Sequence, residues 1–308
     1  MNTFYSRLDN QWGKGNFVCV GLDSEAIKIP DAGAFGRGEI PSDFILDFNK
    51  RIIRQTAHVA GAYKPNAAFY ESRGPSGWSL LRDTFAYIEN EFPDIIKIFD
   101  AKRADIGNTN RGYVEAAFNY LKADAITINP FFGQEALEPF LKMGDKGIIV
   151  LCKTSNQGGG EFQDRLSLVP WEELSDLTKD FSFDEIIARG FYEGVDHWRD
   201  FRDLGVLMPL SHLIALRVSR KWNYNGNCAL VVGAPYPEYI TKIRFLAPEL
   251  PLLIPGIGAQ GGDVEKTVKA ADNKKGDGFL VNSAREIIFN EDPRKAAENL
   301  SKLINQFR

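Results

Sequence analysis

Short apolar runs alternate with longer amphipathic stretches along most of the chain. The short runs have strand length and are rich in β-branched residues. Eight of them are Phe17–Leu22, Ala62–Lys64, Ile95–Phe99, Ala125–Ile128, Gly147–Leu151, Ala229–Val232, Leu252–Ile254 and Gly278–Val281. Helical patterns follow most of them, for example Ser42–Ala60, Gly77–Asn90, Arg111–Leu121 and Pro293–Phe307. Eight βα repeats predict an α/β fold, a (β/α)8 TIM barrel rather than an open doubly wound sheet.

One stretch, residues 158–209, interrupts this alternation. It begins with three consecutive glycines and contains an acidic helical pattern, Phe183–Asp203. A barrel does not require it, so we expect a single barrel domain over residues 1–308 with a helical insertion after the fifth strand. The helix of the fifth βα unit is then predicted at Ser211–Trp222. An irregular segment, Ile27–Pro41, is expected to form a loop at the barrel mouth.

Composition narrows the function classes. A hydrophobic content of 44% and a charged content of 25% are ordinary for a soluble globular protein. A net charge of −4 without a basic run gives nucleic-acid binding no electrostatic support. No apolar run has the length of a membrane span, and the first residues lack the apolar core of a signal peptide. Cys19, Cys152 and Cys228 fall in apolar runs and predict buried thiols in a reducing, cytoplasmic compartment. Three scattered histidines give no metal-ligand spacing, so no metal site is expected.

The most informative polar positions follow the third predicted strand. Asp100 and Lys102 are two residues apart, so in a regular strand they point to the same face, about 6–7 Å apart. Asp105 lies just beyond, on the loop that leads into the next helix. An ammonium group flanked by two carboxylates stays protonated, because each opposite charge favours the charged form. Most such triplets are solvated surface, but barrels of this type place their chemistry at strand ends. The triplet therefore predicts a proton-donating lysine.

Other predicted strands also end in polar residues. Asp23 follows the first strand and Lys64 ends the second. As a surface ion pair they would contribute only about 0–1 kcal/mol, and we expect them to contact ligand hydroxyls instead. Thr154 and Ser155 follow the fifth strand. They fit either local turn hydrogen bonds or contacts with a polar ring, and the sequence leaves both open.

The last two strands predict a phosphate site. The seventh leads into a glycine-rich loop, Gly256–Gly262, which contains Gln260, and Arg285 follows the eighth. Glycines let backbone N–H groups approach an anion closely, and a helix start near Asp263 would add a favourable dipole. Arg285 can offer a bidentate fork to phosphate oxygens. Since loops after strands seven and eight commonly bind phosphate in barrels, we prefer this interpretation to a simple tight turn.

Taken together, these motifs resemble the orotidine 5′-phosphate decarboxylase family, and within it the longer bacterial-type branch. The matching segments occur in order over almost the whole predicted barrel, and residues 158–209 are the least covered. The segments are Val20–Asp23, Tyr63–Asn66, Asp100–Thr109, Pro255–Gly262 and Arg285. The third, with the pattern D-A-K-R-x-D-I-x-x-T, is highly specific.

The resemblance implies decarboxylation of orotidine 5′-phosphate to uridine 5′-phosphate in de novo pyrimidine biosynthesis, without a cofactor. It implies that Lys102 protonates C6 of the pyrimidine while Asp100 holds the lysine and the ribose. Asp105 would lie close to the substrate carboxylate. It also implies a homodimer in which Asp105 and Thr109 reach into the neighbouring subunit's site. The implied binding roles are ribose hydroxyls for Asp23 and Lys64, the pyrimidine edge for Ser155, and the 5′-phosphate for Gln260 and Arg285.

Two other function classes remain open at this point. A metal-dependent sugar-phosphate decarboxylase or aldol-type synthase of the same superfamily would bind Mg²⁺ through strand-end carboxylates. A non-catalytic nucleotide-binding barrel would keep the fold but would not need a lysine between two aspartates. The residues that follow Lys102 and the glycine loop favour the pyrimidine enzyme. Schiff-base chemistry is disfavoured, because it needs a lysine that loses its proton readily and flanking carboxylates oppose this.

Overall fold

The structure, a computed structural model, describes residues 3–36, 39–177, 205–258 and 261–308. Its strands are β1 (Val18–Gly21), β2 (Ala60–Lys64), β3 (Ile96–Arg103), β4 (Ala125–Ile128), β5 (Gly147–Lys153), β6 (Leu166–Pro170), β7 (Gly205–Pro209), β8 (Cys228–Val232), β9 (Leu252–Pro255) and β10 (Phe279–Ser283). Within these described residues, eight parallel strands close into a barrel in the order β1-β2-β3-β4-β5-β8-β9-β10, and β10 pairs again with β1. The predicted (β/α)8 barrel is therefore confirmed.

The described helices lie around the barrel and in the segment that leaves it between β5 and β8. They are α1 (Phe4–Gly13), α2 (Ser42–Thr56), α3 (Ala67–Glu71), α4 (Gly74–Glu91), α5 (Gly107–Val114), α6 (Gly133–Leu141), α7 (Gly160–Gln163), α8 (Trp171–Leu177), α9 (Leu210–Arg217), α10 (Pro237–Leu246), α11 (Val264–Ala271), α12 (Arg285–Ile288) and α13 (Pro293–Phe307). Helices α5 and α9 continue as π-helical turns at Glu115–Tyr120 and Val218–Trp222. The segment after β1 contains two short 3-10 turns, Ala26–Lys28 and Ala32–Phe35.

Two predicted boundaries were wrong at the start of β2. The helical pattern was extended to Ala60, but α2 ends at Thr56 and Ala60 already pairs with Val18 of β1. Gly61 lets the start of β2 lie close to the segment that leads into β1. A Cβ atom at this position would lie 2.3 Å from the carbonyl oxygen of Asn16, so only glycine lets the two backbones approach this closely.

The core follows from strands that are apolar on both faces. Every residue of β1, β2, β4, β8 and β10 is buried, as expected for a parallel sheet covered by helices. Helix α2 shows the complementary pattern, with Ile45, Phe48 and Ile52 buried on one face at helical spacing. Burying each such side chain contributes about 1.5–3 kcal/mol. The three cysteines are buried and free, as predicted.

Between β5 and β8 the chain leaves the barrel. Here β6 and β7 form an antiparallel pair with Leu166 opposite Pro209, outside the closed barrel. Val169 of β6 and Val206 of β7 pack against Leu174 and Leu177 of α8. Together they form part of a small apolar cluster separate from the main core. The strand pair was not among the predicted elements, and the predicted acidic helix at Phe183–Asp203 lies outside the described residues.

Among the residues described, no helix is long and apolar enough to span a membrane.

Candidate active site

A cavity of about 390 Å³ opens where the carboxyl ends of the barrel strands meet. Its volume lies in the range of small-molecule sites. Six of the predicted site residues line it, namely Asp23, Lys64, Asp100, Lys102, Ser155 and Arg285. They come from segments widely separated in the sequence, so the barrel closure alone brings them together.

Asp100 lies at the centre of the charged floor of this cavity, between two lysines. Its Oδ2 accepts a hydrogen bond from Lys64 Nζ at 2.6 Å, and its Oδ1 accepts one from Lys102 Nζ at 2.6 Å. Lys64 is 4% exposed and Asp100 is 7% exposed. Burial by itself would raise the pKa of the Asp100 carboxyl, but the two ammonium charges outweigh it and hold that pKa well below its usual range. Within one chain the arrangement is thus a carboxylate between two ammonium groups.

The neighbouring carboxylates in turn shift the pKa of Lys64. Burial would lower the pKa of its ammonium group, yet the Asp100 and Asp23 carboxylates raise it, so Lys64 stays charged. Lys102 differs in exposure: its side chain is 45% exposed, whereas that of Lys64 is 5% exposed. Lys102 is therefore the ammonium group that reaches into the open cavity, and Lys64 is the one that fixes the floor.

The backbone at Lys102 departs from a regular strand. Pairing between β3 and β4 runs from Phe99 with Ile126 to Arg103 with Ile128, which leaves three residues opposite Thr127 alone. At this bulge Lys102 adopts a positive φ of 50°. A non-glycine residue in this region costs on the order of 1–3 kcal/mol and is common at functional sites. Asp100 and Lys102 point into the same cavity, as predicted, but the strand between them is bulged and not regular.

Asp105 and Thr109 do not line the cavity of their own chain. Asp105 follows β3, and its Oδ1 accepts a hydrogen bond from the backbone N–H of Ile106 at 2.7 Å. Thr109 is exposed in the first turn of α5. Two large apolar side chains in the loops after β3 and β4 are exposed: Ile106, next to Asp105, is 62% exposed and Phe131 is 88% exposed.

Asp23 presents an unsatisfied carboxylate to the cavity. Its Oδ1 is buried and has no hydrogen-bond partner among the described residues. Burial raises the pKa of the Asp23 carboxyl, and the nearby positive charge of Lys64 only partly opposes this. A buried acceptor without a donor costs about 1–3 kcal/mol, so the Asp23 carboxylate lowers the stability of the fold where it lies at the cavity.

The end of β5 places Ser155 on the opposite wall. Gly233 makes this possible, because a Cβ there would lie 2.7 Å from the Cα of Ser155. Thr154 lines the cavity and also makes the local hydrogen bonds that the sequence allowed. Its backbone N–H donates to Gln163 Oε1 at 2.9 Å, and Gln163 Nε2 donates to its hydroxyl at 2.8 Å. The Gln163 side chain thereby closes the loop that carries Ser155.

The predicted phosphate site is only partly as expected. Arg285 is exposed, lines the cavity and forms no ion pair with a described residue, so its guanidinium is available to an anion. The glycine loop is different: the N–H groups of Gly258, Gly261 and Gly262 bond to carbonyls within the loop. Gln260 lies outside the described residues.

The helix after this loop begins where the sequence predicted it, next to Asp263. The carboxylate of Asp263 caps α11 by accepting a hydrogen bond from Lys266 N at 2.9 Å. A negative charge of the protein therefore already uses this helix terminus. The role of the α11 dipole in binding phosphate stays a prediction, and Arg285 is a described cation that lines the cavity beside it.

Apart from Thr154, six polar residues that line the cavity were not predicted as site residues. They are Asn66, Thr127, Asn156, Asn282, Ser283 and Glu286. Thr127 had a readable signal, because it is the one polar residue within the apolar run Ala125–Ile128. Within the residues the structure describes, no three His, Cys, Asp or Glu side chains form a group that could hold a metal ion.

Comparison with known proteins agrees with this geometry. The model of the orotidine 5′-phosphate decarboxylase / HUMPS family matches residues 16–214. An orotidine 5′-phosphate decarboxylase of Herpetosiphon aurantiacus is 37% identical over 292 residues, which cover 94% of this chain and 90% of that protein. One from Halorubrum lacusprofundi is 38% identical over 326 residues and covers 100% of both chains.

Solved structures give the same result. The OMP decarboxylase of Leishmania donovani matches with a TM-score of 0.76 and 32% identity, over 99% of this chain and 98% of that chain. The UMP synthase of the same organism matches with a TM-score of 0.78 and 32% identity, over 100% of this chain and 57% of that longer one. With these identities spread over nearly its whole length, the chain belongs to the orotidine 5′-phosphate decarboxylase family.

Proposed function

We propose that this protein decarboxylates orotidine 5′-phosphate to uridine 5′-phosphate in pyrimidine biosynthesis, without a cofactor and with Lys102 as the proton donor. Family membership supports the reaction. The observation that carries the mechanism is the cavity-facing Lys102 ammonium held by a buried, ionised Asp100. The buried, free cysteines fit the reducing cytoplasm that we propose as its location.

In the proposed step the bond between C6 and the carboxylate breaks and CO₂ leaves. The electron pair stays on C6, and a proton from Lys102 Nζ completes the new C–H bond. Before that transfer, the ammonium stabilises the developing carbanion. An opposite charge at about 4 Å contributes about 4 kcal/mol at an effective dielectric constant of 20. Enzymes typically lower barriers by about 8–23 kcal/mol, so this one contact is only part of the acceleration.

Binding of the unreactive parts of the substrate is proposed to supply much of the rest. Asp23 and Lys64 would hold ribose hydroxyls, since one offers an acceptor and the other a donor. Ser155 would contact the pyrimidine edge. Arg285, together with Gln260, would hold the 5′-phosphate. Such remote contacts can keep the charged site assembled while the ring reacts.

Asp105 and Thr109 are proposed to serve the partner subunit of a homodimer. Their support is that neither lines the cavity of its own chain. The exposed apolar side chains of Ile106 and Phe131 would be covered by such a contact. In that dimer Asp105 of one subunit would lie near the substrate carboxylate in the site whose charged floor belongs to the other subunit.

The test is a turnover assay that follows loss of orotate absorbance, with and without a chelator. We expect turnover that a chelator does not change. Activity lost on chelation would favour a metal-dependent relative of the superfamily. Binding of uridine monophosphate without turnover would favour a non-catalytic nucleotide-binding barrel.

The shared site can be tested by mixing two inactive variants, Lys102→Ala and Asp105→Ala. In a mixed dimer one site carries both substitutions and the other carries neither. Random exchange of subunits should then restore about a quarter of the wild-type activity. If the mixture stays as inactive as its components, Asp105 acts in its own chain's site and the proposed sharing is wrong.

A further inference from the structure

Thr127 occupies a special position opposite the bulge that carries Lys102. The β3–β4 ladder skips from Phe99 with Ile126 to Arg103 with Ile128, so the residues between have no regular partner. Thr127 is 1% exposed, and its side chain lies in this gap and lines the cavity. It is therefore placed to replace, with a side chain, the backbone bond that the bulge removes.

The Thr127 hydroxyl is hydrogen-bonded in both directions. It accepts from the backbone N–H of Lys102 at 3.0 Å and donates to Asp100 Oδ1 at 2.8 Å. A hydroxyl has a single proton to donate. Because the Thr127 oxygen already accepts from the Lys102 N–H, its own proton is donated to the Asp100 carboxylate. Asp100 Oδ1 is the same oxygen that accepts from Lys102 Nζ at 2.6 Å.

These contacts form a closed loop that holds Lys102 at both ends. One end is the backbone N–H, at a residue with a positive φ of 50°. The other is the ammonium group, bound to an oxygen whose position the same hydroxyl fixes. A strained backbone persists only where its surroundings over-determine it, and Thr127 supplies such a constraint from the neighbouring strand.

We propose that Thr127 is a positioning residue, whose hydroxyl sets both the backbone and the ammonium of Lys102 for proton transfer. This inference rests on the decarboxylation proposed above. Thr127 acts through Lys102 and Asp100 and is not proposed to exchange a proton with the substrate. Its loss should therefore affect the chemical step more than nucleotide binding, since misplacing a reacting group by about 1 Å can cost about 100-fold.

The experiment compares Thr127→Val with Thr127→Ser in the full chain. Valine keeps the branched shape but removes the hydroxyl, and serine keeps the hydroxyl but removes the methyl group. We expect kcat to fall about 10- to 100-fold in the valine variant, with the Kd for uridine monophosphate within about threefold of wild type. The serine variant should keep kcat within about threefold of wild type.

A matched control separates positioning from general destabilisation. Thr56 is also buried, and its hydroxyl donates to the carbonyl of Ile52 at 2.8 Å, at the opposite end of the barrel. Thr56→Val should lower the melting temperature and leave kcat unchanged.

The outcomes distinguish this inference from the proposed function. If wild type shows no turnover, the proposed function fails and the inference falls with it. If wild type is active and Thr127→Val keeps its kcat, only the positioning role is overturned. It is equally overturned if Thr127→Ser is as impaired as the valine variant, or if the loss lies in nucleotide affinity alone.

Discussion

Both ends of the barrel bury charged side chains, but they satisfy them differently. At the amino end the guanidinium of Arg244, 8% exposed, donates to the carbonyls of Ala271, Leu250, Pro248 and Gly278 at 2.7–3.1 Å. Lys97 lies at the same end, and its ammonium group pairs with Asp124 at 3.3 Å. These charges are enclosed and satisfied by the chain itself.

The carboxyl end leaves part of its charge unsatisfied. Asp100 is fully engaged, but Asp23 has a buried oxygen without a partner among the described residues, and Lys102 extends into open space. An unpaired buried acceptor and a strained backbone both lower stability. The comparison indicates that charge at the amino end stabilises the fold, whereas charge at the mouth is retained for a ligand, as barrel architecture leads one to expect.

Removing the cavity-facing ammonium should give the largest effect. In Lys102→Ala we expect turnover to fall by roughly 10⁴-fold, the upper range for loss of a general acid. Of the other two described cations that line the cavity, Lys64 is buried and Arg285 is proposed to hold the phosphate. The variant should still fold and bind uridine monophosphate, since Lys64 and Thr127 continue to hold Asp100. Turnover, circular dichroism and nucleotide titration check the three parts. Borohydride trapping of a covalent adduct on Lys102 in wild type would contradict proton donation and indicate Schiff-base chemistry.

At the amino end the reverse pattern is expected. Arg244→Met leaves several buried carbonyls without a donor, and we expect the free energy of unfolding to fall by about 3–5 kcal/mol. The folded fraction should keep the wild-type kcat, because Arg244 is remote from the cavity. Urea titration and active-site-normalised kinetics measure the two effects. A normal stability, or a kcat that falls in fully folded protein, would break the division between the two ends.

The phosphate role of Arg285 predicts an intermediate effect. In Arg285→Gln we expect KM for orotidine 5′-phosphate to rise about 10- to 100-fold, because charge-assisted hydrogen bonds contribute about 1.5–3 kcal/mol. Stability should not change, since Arg285 is exposed and forms no ion pair with a described residue. The matched control is Arg294→Gln, an exposed arginine paired with Glu298 on α13, which should leave KM unchanged. A KM equal to that of wild type in Arg285→Gln would show that Arg285 does not bind the phosphate.

The barrel could be predicted from the sequence because its signal is local. Strands buried on both faces read as short apolar runs, and eight such runs between helical patterns leave few other folds. The pair β6 and β7 could not be recognised in this way. Its strands pair across the 34 residues that lie between Pro170 and Gly205 in the printed chain, and a short run such as Leu166–Pro170 carries no sign of its partner.

The charged lining of the cavity was largely predictable from the sequence, but its geometry was not. Strand ends identified Asp23, Lys64, Asp100 and Lys102, because barrel topology brings such positions together. The contact of Lys64 with Asp100 joins two strands, and the positive φ of Lys102 depends on a register shift against β4. Neither property can be read from the residue spacing within one strand. The sequence therefore suggested Lys102 between two acids, whereas within one chain Asp100 lies between two lysines.

The smallest expected effect is a change in the melting temperature when Asp23, at the mouth of the barrel, is replaced. Burial raises the pKa of the Asp23 carboxyl. Ionising this carboxyl is therefore less favourable in the folded protein than in the unfolded chain. That penalty is present at neutral pH and is relieved as the pH falls through the raised folded-state pKa. Asp23→Asn removes it, and we expect the melting temperature at pH 7 to rise by about 2–4 °C while nucleotide binding weakens.

The pH dependence provides the control within the same experiment. As the pH falls and the wild-type carboxyl takes up its proton, the difference in melting temperature between wild type and Asp23→Asn should narrow. Asp100 has the opposite shift, so Asp100→Asn should lower stability at neutral pH, and its difference from wild type should shrink only below the ordinary carboxyl pKa of about 4. If Asp23→Asn is instead less stable than wild type across the range, Asp23 is a structural charge like those at the amino end. The contrast between the two ends would then rest on Lys102 alone.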